Sequence, residues 1–471
     1  MRLHRFVIPA AAALLGTTCK DATAPAAPPA TLTVPDSAVV RELDSVQLHA
    51  QVMDSAGHTI TNPAVVWLSG DTSTATISAT GMVHFRHVGR TTIGALSDGL
   101  TGHTVVTAAV QIQQLDLGSV YSSGPNACAV TTRGSLYCLD IEHGDTLWPV
   151  PTTAGPWKQV AVGTTHACAL SVTGAAYCWG QNGWGQLGYD TTLVGYPLFT
   201  TPLPVKGGHT FQTLTSGISH TCGLTATGAV YCWGLATSGQ LGNGDTTVAA
   251  STTPLVVTGG LTFASIAAGG SHTCGVATGG AVYCWGSNFA LALGNGDSTM
   301  GRSFAPIAVS VSPTVAQVVA GDDYGCILST AGAASCWGDN LWGQLGVDSA
   351  ALSACPGGGA PWVCSHTPHL VSGSQLFQSL SAHPGLGNGG DGLTCGLTGS
   401  GAAYCWGRNI VGEVGDGYTV QRGTPVPVSG GLSFTKVVAG DFHACGFAVS
   451  GTVYCWGYTM GLRPVRIPDQ P

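Results

Sequence analysis

From residue 115 onward, apolar and polar positions alternate with period two in short runs, and the runs return in matching sets. One clear set reads His220-Thr-Cys222-Gly-Leu224, a turn at Gly228, then Val230-Tyr-Cys232-Trp-Gly234. His220, Cys222 and Leu224 share one face of the first run, whereas Tyr231 and Trp233 point away from Cys232 on the return run. The alternation predicts two antiparallel strands, and large side chains on both faces require packed neighbours on both sides. A glycine recurs six residues after the first cysteine of each set, at Gly134, Gly174, Gly228, Gly280, Gly332, Gly401 and Gly451. There a three-residue hairpin loop takes positive φ. Folding about that loop sets residue i opposite residue i+10.

The cysteines therefore oppose each other in seven pairs: Cys128 with Cys138, Cys168 with Cys178, Cys222 with Cys232, Cys274 with Cys284, Cys326 with Cys336, Cys395 with Cys405, and Cys445 with Cys455. Directly opposed Cβ atoms lie about 4.5–5.5 Å apart, which suits a cross-strand disulfide. Zinc is the competing reading, but the pairs lie in separate repeats and lack a Cys-x-x-Cys rhythm. Each hairpin is preceded by a further strand signal, such as Phe263-Ala-Ser-Ile-Ala-Ala-Gly269, and followed by a segment such as Pro254-Leu-Val-Val257. Three or four short strands per repeat stack as the blades of an all-β propeller. Seven blades are expected over residues 115–471.

The repeat resembles that of the regulator of chromosome condensation (RCC1) family. The resemblance rests on Gly163-Thr-Thr-His166, Tyr177-Cys-Trp-Gly-Gln-Asn182 and Gly185-Gln-Leu-Gly188, on Gly217-Ile-Ser-His220 with Gly239-Gln-Leu-Gly242, and on Trp337-Gly-Asp-Asn340 with Gly343-Gln-Leu-Gly346. It implies a seven-bladed propeller closed by pairing strands from the two ends, here Leu462–Ile467 beside Leu115–Tyr121. The first copy departs from the pattern, with Cys138-Leu-Asp in place of Cys-Trp-Gly, and three copies lack the histidine.

Residues 31–110 have another texture, free of cysteine and broken into short alternating runs: Val46–Val52, Val65–Trp67, Ala75–Ile77 and Thr91–Ala95. Such runs predict a small β-sandwich. The order Val65-x-Trp67-x-Ser69-x-Asp71, Ala75-x-Ile77, Gly81-x-Val83, Gly89-x-Thr91-x-Ile93 resembles the bacterial Ig-like group 2 domain, which implies a spacer or an adhesive module. Residues 20–30 are a Pro/Ala-rich tether. Residues 1–19 read as a signal peptide, with Arg2, His4 and Arg5 before the apolar run Phe6–Leu15 and Cys19 placed as the lipidated residue of a bacterial lipoprotein. The lipobox lacks its usual leucine, having Gly16 there; cleavage near Ala22-Thr-Ala24 and plain secretion is the alternative.

Composition narrows the function. Charged residues make up 8% of the chain, glycines number 70 and the net charge is −8, with no basic cluster to hold nucleic acid. Of 17 cysteines, 14 fall in the hairpin pairs, Cys355 and Cys364 form an eighth pair, and Cys19 is left over. Paired cysteines suit an oxidising compartment, so an exported protein is expected, at the cell surface or outer membrane if lipidated and otherwise secreted or periplasmic.

The repeated His166, His220, His272 and His443 stand one per blade and cannot converge on a metal; each is expected to bond backbone. Asp190, Asp245, Asp297, Asp348 and Asp416 follow the Gly-Gln-Leu-Gly position and read as turn formers. Glu42, Glu142 and Glu413 are scattered, and His383 reads as a loop residue, so no catalytic set, cofactor or metal site is expected. Binding is expected from aromatic residues outside the repeated Trp-Gly: Trp148, Trp184, Trp342 and Trp362, the last exposed on the insertion between Cys355 and Cys364; packing between blades is the alternative for Trp184 and Trp342, and an insertion stapled only against proteolysis the alternative for the segment around Trp362. The expected function is a non-catalytic, monomeric interaction module whose propeller loops bind or inhibit another protein, touching the membrane through the lipid anchor alone. Glycan or cell-wall adhesion, and a hydrolase or lyase at the propeller mouth, are the alternatives.

Overall fold

The computed structural model describes residues 27–118, 127–140, 146–152, 154–190, 198–311, 314–356, 362–385 and 392–467, without the side chains of 139–140 and 146–148. The leader with Cys19 and most of the 20–30 tether lie outside these residues. The chain divides into two compact units.

The smaller unit comprises 45–84 and 91–106 with the residues before 39. Its strands include Pro29–Thr33 paired with Gln51–Asp54, and Val66–Ser69 paired with Gly89–Ser97. Val52, Ala75, Val83, Ile93, Ala95 and Val106 are fully buried in it. Ser69 and Asp71 hold the turn between two strands: Ser69 donates to the Ala75 carbonyl at 2.8 Å, and Asp71 accepts from the backbone N–H of Ser73 at 2.9 Å.

The larger unit comprises 39–44, 85–90 and 107–471. Among the described residues it contains seven consecutive antiparallel sheets, within 112–149, 157–204, 211–256, 263–308, 315–370, 377–427 and 434–466. Six have four strands in sequence order. The fifth sheet gains a fifth strand because Ser353–Ala354 of the insertion pairs with Val363–Leu370. The hairpin register is the one the cysteine spacing predicts: Cys222 opposes Cys232 and Leu224 opposes Val230. At the loop, Gly228 takes φ +81°, and its N–H donates to the Thr225 carbonyl at 3.0 Å. The Gly228 carbonyl then accepts from Phe263 N–H at 2.8 Å, tying the turn to the first strand of the next sheet. A side chain at this position would be strained by φ and pressed against that strand, with Phe263 O 3.1 Å from a Cβ.

The cross-strand disulfides form as the register demands. Cys128 is bonded to Cys138, Cys168 to Cys178, Cys222 to Cys232 and Cys274 to Cys284. In the later sheets Cys326 is bonded to Cys336, Cys395 to Cys405 and Cys445 to Cys455. The insertion carries its own bridge, Cys355 to Cys364. None of these sixteen cysteines is left over for a metal, so the zinc reading falls.

Neighbouring sheets interlock through tryptophan. Trp233 of the third sheet is fully buried among Cys168, Cys178 and Leu187 of the second, with its own Phe211 at 5.8 Å. Trp285, Trp337, Trp406 and Trp456 repeat the arrangement. The seventh sheet packs on the first, where Val438, Phe442 and Phe447 join Leu115, Leu117 and Ala127 in one core. Strand pairing does not accomplish this. Gly461–Arg466 pairs with Val453–Gly457 of its own sheet, and Ile112–Leu117 pairs with Ala127–Thr131, so the expected pairing of 462–467 beside 115–121 is absent among the described residues. The reason is topological: each sheet draws all its strands from consecutive sequence, and the ends meet by side-chain packing.

Candidate functional site

The first strands of successive sheets line a central passage. At the third position of these strands, Gln114, Gln159 and Gln317 each accept from and donate to the backbone of another first strand, at Val160, Leu214 and Leu380. Two residues on, Asp116, Thr215 and Ser381 accept from Val162, Ala268 and Ala439 N–H. The passage is a polar cavity of about 260 Å³, bordered by Asp116, Gln159, Gln317 and His383 among others. Burial raises the Asp116 carboxyl to about 6. Thr164, after the first strand of the second sheet, donates to the Gly385 carbonyl, after the first strand of the sixth, at 2.6 Å. His383, expected in a loop, is buried there, and its Nδ1 accepts from Gly385 N–H at 3.1 Å.

The repeated histidines are buried; His272 has the expected backbone contact, with Asp322 and Tyr324, whereas His166 and His220 bond a hydroxyl instead. His166 Nε2 meets Thr221 Oγ1 at 2.7 Å and His220 Nε2 meets Thr273 Oγ1 at 2.9 Å, each in the next sheet. Thr221 and the indole N–H of Trp233 both donate to the Gln186 carbonyl, at 3.0 and 2.9 Å. A hydroxyl is needed because it accepts from the imidazole and donates onward, which a carbonyl cannot do. In the fifth copy Tyr324 replaces the histidine: its hydroxyl donates to the Leu393 carbonyl at 2.8 Å and lies 3.1 Å from Thr394 Oγ1, which donates to Gln344 O at 2.9 Å. Thr221→Val leaves His166 and the Gln186 carbonyl short of a partner and is expected to cost about 1–3 kcal/mol. Urea denaturation checks this, and a midpoint equal to that of the parent would refute the relay.

The turn aspartates cap their own loops. Asp245 and Asp297 accept from the N–H and hydroxyl of Thr247 and Thr299, Asp348 accepts from Ala350 N–H, and Asp416 pairs with Arg422. Lys206 pairs with Asp190. The glutamine of Gly-Gln-Leu-Gly serves the same end, Gln186 and Gln344 accepting from the N–H of Trp184 and Trp342 at 2.9 Å.

Of the four expected binding residues, the fold brings two together. Trp362 was expected to be exposed; it is half-buried beside Cys355, Cys364 and Leu291, and its indole N–H donates to Asp339 Oδ1 at 2.5 Å. The insertion turns inward because that carboxylate offers the indole a strong acceptor. Trp342 lies close by through Gln344, which donates to Asp339 Oδ2 at 2.9 Å. Its ring packs 5.5 Å from the Arg408 guanidinium of the sixth sheet, so it also serves the contact between sheets. Trp184, 39% exposed, stands apart on the second sheet. Trp148 lies in Thr146–Pro149 opposite Cys138, with its side chain outside the described residues.

Around Trp362 the loops expose Phe289, whose ring lies 5.6 Å from the indole, and Leu341, whose carbonyl receives the Gln421 amide at 3.3 Å. Val420 and Tyr418 continue the exposed apolar strip onto the sixth sheet. Beneath it sit Asp323 and Asp339, both buried, with the Asp339 N–H donating to the Asp323 carbonyl at 3.0 Å. Burial and the adjacent Asp339 charge push the Asp323 carboxyl well above the usual range, and burial raises Asp339 as well. Sequence reasoning missed Phe289, Asp323 and Asp339. The available signal was the fifth copy's Asp-Asp-Tyr and Gly-Asp, where the second, third and fourth copies carry uncharged residues.

With this geometry in view, the likeness to known proteins is informative. The regulator of chromosome condensation (RCC1) repeat model matches residues 227–276, 279–328 and 400–446, and a second model of that description matches 157–186, 212–240 and 263–290. The human E3 ubiquitin-protein ligase HERC2 is 30% identical over 337 residues, 69% of this chain, which spans only 6% of HERC2. The Arabidopsis thaliana ultraviolet-B receptor UVR8 is 29% identical over 66% of this chain and 69% of its own length. Human WBSCR16 superposes with a TM-score of 0.60 at 19% identity, covering 74% of this chain and 89% of that one. Yeast RCC1 (Prp20), in its complex with Kap60, superposes with a TM-score of 0.58 at 21% identity, covering 69% and 78%. This chain therefore carries RCC1 repeats, in an all-β fold shared with the RCC1-type propellers.

Proposed function

We propose that this is a non-catalytic interaction module whose loop face binds another protein. The observation that carries the reading is the set of exposed Phe289, Leu341, Val420 and Tyr418 around half-buried Trp362, held on loops that the glutamine and aspartate caps make rigid. Rigid aromatic anchors lose little freedom on binding and dominate interface energetics. The seven sheets serve as a seven-bladed propeller closed by packing of the seventh on the first, and the smaller unit serves as an Ig-like spacer. Eight disulfides in a chain with an apolar leader support export, with anchoring through Cys19 and a monomeric working form.

The test immobilises the full-length oxidised protein, presents secreted and surface proteins of its own cells, and identifies saturably retained species. Phe289→Ala combined with Trp362→Ala is expected to reduce retention at least about 100-fold, the loss of two anchors at roughly 1.4 kcal/mol or more each. Retention of polysaccharide alone would replace the reading with adhesion. Anchoring has its own check: Cys19→Ser is expected to abolish incorporation of labelled fatty acid and release the protein to the medium, and continued labelling would exclude Cys19 as the acceptor.

A further inference from the structure

Three copies place an uncharged residue just before the histidine position beside another just after the return-strand glycine. They are joined by one backbone bond: Gln181 N–H to Thr165 O, Leu235 to Ser219 and Ser287 to Ser271, at 2.8–3.0 Å. The fifth copy makes the same bond with Asp339 and Asp323. The repeat therefore folds with uncharged residues at these positions, and two adjacent carboxylates there are not a requirement of the architecture.

Their surroundings leave the charge open. Asp323 is 8% exposed, yet its carboxylate has no hydrogen-bond partner among the described residues. Asp339 accepts from the Trp362 indole at 2.5 Å, Leu341 N–H at 3.0 Å and the Gln344 amide at 2.9 Å, all neutral donors. No lysine or arginine among the described residues pairs with either. Leaving a buried charge uncompensated is costly, and two like charges together more so. Beside the pair, Trp362 and the 52% exposed Phe289 present aromatic surface. Buried carboxylates beside aromatic rings are the surroundings a guanidinium prefers, through charge-assisted hydrogen bonds and cation–π contact. Among the described residues no third metal-ligating side chain joins the pair, whereas a divalent cation takes six or more oxygens in its usual site.

We propose that the Asp323–Asp339 pair receives one arginine side chain from a loop of the protein partner. This rests on the protein-binding reading above and supplies its specificity: the apolar strip gives contact area, and the pair selects a basic residue.

The test titrates the full-length oxidised protein with the peptide acetyl-Gly-Arg-Gly-amide, following tryptophan fluorescence, with the citrulline peptide as the uncharged control. Saturable binding of the arginine peptide alone is expected. Asp323→Asn should weaken it about ten-fold or more, the loss of one charge-assisted contact, while the melting temperature stays level or rises because an unpaired buried charge is gone. The inference is overturned if the citrulline peptide binds equally, if neither peptide binds, or if Asp323→Asn lowers the melting temperature without changing affinity. The two readings fail separately. A protein partner retained equally by the parent and Asp323→Asn would remove the arginine site and keep protein binding; an arginine-selective pair in a chain that retains no protein would do the reverse.

Discussion

Protein refolded with its cysteines reduced is expected to fail to form the seven-sheet unit. Each hairpin bridge closes a loop of ten residues' separation, and in the chain-entropy model such a closure contributes about 3 kcal/mol. Seven of them amount to roughly 20 kcal/mol, more than the 5–15 kcal/mol by which folded proteins usually exceed their unfolded states. Most of the bridged sulfurs sit on residues with no exposure, as at Cys284, Cys336 and Cys405, so reductant should act on the native protein only through opening, and slowly. The measurement compares urea midpoints for oxidised protein and for protein refolded in reductant. A cooperative reduced transition at the oxidised midpoint would refute the ledger. Replacing one pair, Cys222→Ala with Cys232→Ala, should lower stability by about 3 kcal/mol from the loop term alone.

Acid is expected to have the next largest effect. Burial lowers His166, His220 and His383 to about 3, and His272 and His443 to about 4, from 6.5. A histidine whose folded pKa lies below its unfolded value contributes stability that is present above 6.5 and lost as pH falls through the interval below it. Buried carboxyls act in the opposite sense. Asp116, at about 6, and Asp323, also raised, hold protons in the folded state that the unfolded chain has released, so their contribution grows as pH falls toward 4. Asp339 and Glu413 are raised in the same direction. At pH 5 unfolding takes up five protons on histidine and gives back at least two from carboxyls. The net of at most three protons corresponds to a loss of up to about 4 kcal/mol per pH unit. Urea midpoints between pH 7 and pH 5 measure this slope. Stability that rises over that interval would show that the histidines are not buried neutral, and His220→Gln should flatten the slope by about one proton.

The hairpins were legible because their determinants are local. Alternation placed each side chain on a face, and the glycine six residues after each cysteine set the register, so Cys222 had to meet Cys232 and Cys445 had to meet Cys455. The aspartate caps were legible for the same reason, since an aspartate that bonds its own turn needs only residues within reach along the chain. Tyr324 standing in for histidine was not, because its equivalence depends on a hydroxyl reaching Thr394 seventy residues on.

What remained hidden required sheets side by side. Trp362 was expected to face solvent; it turns inward because Asp339 comes from a different strand, and no spacing reveals which acceptor an indole will find. The joining of Leu115 and Leu117 to Val438 and Phe442 is likewise a matter of packing between the two ends of the larger unit, where a sequence pattern suggests strand pairing equally well. Period-two alternation, turn glycines and cysteine spacing thus specified the repeat and its disulfides, since these interactions close within about a dozen residues. The carboxylate pair, the aromatic rings beside it and the way the first and last sheets meet were decided only by tertiary structure, because their energies come from contacts between strands that the chain order leaves far apart.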